Sequence, residues 1–198
     1  MKKSLLLLLV LFGTVFGVYA QDYEPTPAIS AGFSIGATVG PHSGEFPVAS
    51  GVHVKLELPI ANQLSFMATI GYTGYISGNG YNAYTDTYGD SYTSGELVNF
   101  VPITGGLRYY VANKLFVQGD VGASFNINNG NVYTNSKTAL LASPSIGYAV
   151  TFGSTRMGLD LSLAYDARFE SNNGINADGY NTGSYNSVVF KLAFRYGL

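Results

Sequence analysis

Side-chain catalysis needs a nucleophile, a proton acceptor and a group that orients the acceptor, and histidine is the commonest acceptor near neutral pH. This chain has two histidines and no cysteine. His42 stands beside Ser43, and Asp90-Ser91 follows in a later polar stretch, so by residue type His42, Asp90 and Ser91 could supply a base, an orienting group and a nucleophile. The second histidine belongs to another pattern. His53, Lys55 and Glu57 are spaced two apart, which puts all three on one face of a strand. Ionisable residues at the same spacing recur along the chain, and Lys55, Glu57, Glu96, Arg108, Asp120, Asp160, Asp166, Arg168, Lys191 and Arg195 amount to five acids and five bases. A balanced set can pair away from water, where a lone charge is costly. The expected chemistry is an ion-pair network, with His53 and Gln118 beside it, and the chain is expected not to be an enzyme. Tyr81, Tyr84, Tyr88 and Tyr92 alternate with Asn, Thr, Asp and Ser, a composition suited to recognition. Asp86 and Asp90 lack the spacing of a calcium loop, and neither metal nor cofactor is expected.

The elements that must carry these residues are strands. In the last stretch, SVVFKLAFRYGL, Val188, Phe190, Leu192, Phe194, Tyr196 and Leu198 alternate with small or cationic residues. The same alternation predicts strands over 28–40, 48–58, 64–75, 96–110, 115–126, 139–151, 157–168 and 187–198. Connections alternate between polar loops and turns of about five residues, and the stretch 76–95 reads as a solvent loop. Pro102 removes a ladder donor, so a bulge or local irregularity is expected there. Asn99 breaks the apolar face, as befits a rim position.

One face of each strand is apolar and the other small, polar or charged. That suits an eight-stranded antiparallel up-and-down β-barrel in a membrane, with lipid outside and a side-chain-filled lumen. A soluble lipocalin-like barrel would need the opposite facing. Lys2 and Lys3, the apolar run that follows and Val18-Tyr19-Ala20 read as a signal peptide over residues 1–20, with the barrel domain over 21–198. Cleavage would move the formal net charge from -2 to -4, and no basic face suggests a nucleic-acid partner.

Residues 97–125, LVNFVPITGGLRYYVANKLFVQGDVGASF, resemble the middle hairpin of small outer-membrane β-barrels of the OmpA/OmpX-like type and the related barrels common in Bacteroidetes. The shared texture is an internal proline, the cluster Arg108-Tyr109-Tyr110, a short turn and a glycine-spaced strand. The C-terminal alternation resembles the signal read by the outer-membrane assembly machinery, with Leu198 in place of the usual Phe or Trp. The resemblance implies Sec export to the outer membrane, lipid and that machinery as partners, and a monomer whose loops meet an extracellular ligand or surface. A narrow porin-like channel or transport component is the second reading. A third is a lipid-modifying enzyme, since outer-membrane lipid A palmitoyltransferases similarly draw His, Asp and Ser from their loops.

Overall fold

A period-two pattern can bury one face only in an extended chain, and eight such segments close on themselves here. The computed structural model describes residues 24–78, 97–128, 136–153, 155–170 and 184–198, together with the backbone of 82–85 and 91–94. Its strands are β1 (Ala28–Val39), β2 (Val48–Ala61), β3 (Leu64–Ile76), β4 (Asn82–Thr85), β5 (Ser91–Ser94), β6 (Val98–Tyr110), β7 (Leu115–Asn126), β8 (Thr138–Thr151), β9 (Met157–Phe169) and β10 (Tyr185–Gly197). Eight of them form a closed barrel in the order β1-β10-β9-β8-β7-β6-β3-β2, every neighbour antiparallel. No helix occurs among the described residues.

A one-residue slip would turn a strand inside out, so register decides the facing. It is kept around the wall apart from one shift at the end of β2, between Pro59 and Ala61. Phe33, Val121 and Leu163 point outward at 50%, 56% and 53% exposure, whereas Arg108 is 0% and Glu57 2% exposed on the inner face. Apolar-out and charged-in is the reverse of a soluble barrel. The barrel strands have 12 to 14 residues, more than the roughly 9 to 11 that cross a bilayer when tilted.

Three expectations need correction. The stretch 76–95 is not loop throughout: β4 and β5 pair as a separate hairpin, with Tyr84 opposite Tyr92. Tyr and Thr favour extended backbone strongly enough to override a polar composition. Strand β2 continues to Ala61 past the expected turn, and the register shift lies between Pro59 and Ala61. Asn62-Gln63 then suffices as the turn, with Gln63 at φ 64. The irregularity expected at Pro102 is present as a gap and not a bulge: pairing with β3 skips from Ile103 to Phe100 and resumes in the same register. The proline lacks the donor, and its partner strand simply runs past. Strand β6 begins at Val98, and Glu96 lies outside the described residues. Asn99 sits at the rim as expected, where its Oδ1 accepts from the Tyr72 hydroxyl at 2.7 Å.

Candidate functional site in the barrel lumen

The inner face divides into three levels. Toward the short turns, Glu57 on β2, Arg108 on β6, Asp160 on β9 and Arg195 on β10 converge. Arg108 Nη1 lies 3.1 Å from Glu57 Oε2 and 2.8 Å from Asp160 Oδ2. Arg195 approaches the same carboxylates at 3.2 and 3.9 Å. Glu57 Oε1 also accepts from the Ser65 and Tyr110 hydroxyls at 2.9 and 2.8 Å. Two acids thus face two bases, and each carboxylate oxygen of Glu57 has two polar neighbours, hydroxyls at Oε1 and guanidinium groups at Oε2. Such saturation is what makes buried charge tolerable. Arg108 Nε donates to Gln118 Oε1 at 2.8 Å, and its guanidinium carbon lies 3.8 Å from the centroid of Phe116. Gly147 makes that stacking possible: a Cβ there would lie 2.4 Å from the Phe116 ring.

At mid-height the contacts thin out. Lys191 Nζ meets Asp166 Oδ1 at 2.8 Å, and Asp166 also accepts from Ser143 Oγ. Ser143 and Asp166 face each other where the β8–β9 ladder skips past Pro144, so side chains take over where backbone pairing lapses. Asp120 Oδ2 accepts from Gln118 Nε2 at 2.6 Å. His53, Lys55, Thr69 and Asp120 border a cavity of about 60 Å³.

Toward the long loops the lumen is aromatic. Residues 40–47 fold inward over the opening, held by backbone bonds from Phe46 to His42 and from Thr38 to Pro47. His42 is fully buried; its ring stacks on Tyr185 at 4.0 Å and its Nδ1 lies 3.1 Å from Glu45 Oε2. Phe46, Tyr75, Val98, Phe100 and Tyr185 fill the rest of the opening. Beneath them Arg168 stacks on Phe100 at 4.2 Å and pairs with Glu170.

Of the ten residues expected to form a network, Glu57, Arg108, Asp160 and Arg195 meet in one cluster, and Asp166 meets Lys191. Arg168 pairs with Glu170, which lies past the strand expected over 157–168; the Arg-x-Glu spacing that continues β9 is its signal. Lys55 and Asp120 line the cavity without an ion pair among the described residues. Of the candidate catalytic set, His42 is buried with its ring against Tyr185, Asp90 lies outside the described residues and Ser91 is described by backbone alone. Tyr81 and Tyr88 also lie outside them, and Tyr84 and Tyr92 are described by backbone alone.

No family model matches the chain, and no curated protein matches it in sequence. Among solved structures it is similar to the Yersinia pestis outer membrane protein Ail at 11% identity, with 87% of this chain and all of that one covered and a TM-score of 0.48. The outer membrane protein AlkL matches at 11% identity over 91% of this chain and 94% of its own, with a TM-score of 0.47. A de novo designed transmembrane β-barrel matches at 12% identity, 88% and 99% coverage and a TM-score of 0.44.

Proposed function

We propose that the protein is an integral outer-membrane β-barrel of the OmpA/OmpX-like kind, closed through its lumen, that acts at the cell surface through its long loops. One observation carries this reading: a band of large apolar residues faces outward around the wall, among them Ile35, Val52, Ile70, Ile103, Leu140, Ile146 and Phe190. A monomer in water rarely exposes a contiguous apolar patch beyond a few hundred Å², whereas lipid would cover the band at no cost. The partners are membrane lipid, the assembly machinery that would read β10, and a ligand or surface met by the Tyr81–Tyr92 stretch. Residues 1–20 serve as the export signal, and the mature chain is a monomer.

The role is structural and adhesive rather than enzymatic. His42, packed between Tyr185 and Glu45, supports a wedge more than a base. The lumen is filled at both ends, which favours a closed barrel over a narrow channel.

Gel mobility of detergent-extracted protein tests the membrane reading. The unboiled form is expected to migrate as a compact folded species distinct from the boiled one; solubility without detergent would refute the proposal. Stepwise conductance in planar bilayers would instead select the channel. Acyl transfer from phospholipid, abolished by His42→Ala, would select the enzyme.

A further inference from the structure

Three side chains that border the mid-height cavity carry buried polar atoms with no hydrogen-bond partner among the described residues: His53 Nε2, Thr69 Oγ1 and Asp120 Oδ1. Lys55, 5% exposed, borders the same space and makes no ion pair among the described residues. These four side chains come from β2, β3 and β7 and converge on one volume of about 60 Å³. Buried polar groups nearly always find partners, so three such atoms together, with Lys55 beside them, describe a site built for something.

Charge decides the ligand class. Lys191 is neutralised by Asp166 and Arg168 by Glu170, which leaves Lys55 and Asp120 as one cation and one anion across the cavity. The ammonium opposes a metal or alkali cation, and the carboxylate opposes a halide or phosphate. A neutral molecule that both donates and accepts suits all four groups, and the volume admits on the order of four waters. We infer that the cavity binds a fixed water cluster that links Lys55 Nζ to Asp120 Oδ1 and satisfies His53 and Thr69. The two residues are then an ion pair at one remove, joined through water instead of direct contact. The charged cluster on one side and the aromatic plug on the other hinder exchange, so these waters should be long-lived.

Water-to-protein cross-relaxation in isotopically labelled protein, in lipid nanodiscs, tests this. Cross-peaks of the sign expected for slowly exchanging water should appear at Thr69, His53 and the Lys55 side chain. They should vanish in Lys55→Met/Asp120→Leu, checked as folded by its unboiled gel mobility. Absence of cross-peaks in the wild-type protein would overturn the inference, whether or not the double variant folds. Saturable shifts of Lys55 or Thr69 on titration with bromide or rubidium would also overturn it, because the site would then hold an ion.

Discussion

The two ends of the lumen are packed with different chemistry. At the short-turn end the seal is ionic and belongs wholly to barrel strands: Glu57, Arg108, Asp160 and Arg195 are fixed by the register of β2, β6, β9 and β10. At the long-loop end it is aromatic, and its outermost parts, His42 and Phe46, come from a loop that turns back into the barrel. A strand-borne charge cannot leave its partners without unzipping the wall. A loop-borne ring can be withdrawn by opening residues 40–47 alone. The difference predicts a globally coupled seal at one end and a locally removable one at the other.

Denaturant unfolding in vesicles separates the two. Glu57→Ala should have the largest effect, a loss of about 3–5 kcal/mol, because it leaves Asp160 as the one carboxylate of the cluster facing two buried guanidinium groups. A loss below about 1 kcal/mol would mean the base is not a coupled seal. The wall itself supplies a yardstick independent of either end. Leu192→Lys, on the outer face opposite Phe33, should cost about 2–4 kcal/mol if that face meets hydrocarbon. Phe46→Ala should cost less, about 1–3 kcal/mol, since the loop can relax around the gap. Its clearer sign would be faster proteolysis within residues 40–47, with the barrel intact; a fully cooperative loss would erase the distinction between the ends. Smallest of all should be the interaction between Glu57→Ala and Phe46→Ala. The ion pairs of Glu57 and the aromatic packing of Phe46 lie at opposite ends of the lumen, so their effects should add to within about 0.5 kcal/mol, and a larger coupling would mean the seals communicate through the strands.

The barrel was legible because a period-two pattern is local and repeats in every strand; the face that Lys191 or Leu163 occupies follows from its neighbours alone. The base of the lumen was half legible. Composition showed that acids and bases balance, but partner choice depends on how far along the axis each strand is staggered. Hence Arg108 takes both Glu57 and Asp160, while Lys55 and Asp120 stay apart. The mouth was the least legible part. Nothing in the spacing of Pro41, His42 and Phe46 says that the loop folds inward, because that depends on the hollow framed by Tyr75, Phe100 and Tyr185, which are remote in sequence. Glu170 escaped for a simpler reason, lying one residue past the end of β9.

The seam between β1 and β10 sets an order of events in folding. Its register runs from Ala28 opposite Gly197 to Val39 opposite Asn186, and it is tied at its base by Arg195 to the Thr26 carbonyl, 169 residues away along the chain. The hairpins on either side of it can form from adjacent segments. The seam must bring together the two most distant strands, and the entropic cost of closing a loop rises with its length. Contacts this remote also slow folding. Until the seam zips, both strands present unpaired backbone edges that invite foreign pairing. The closing of that one ladder turns an open, aggregation-prone sheet into a cylinder without edges.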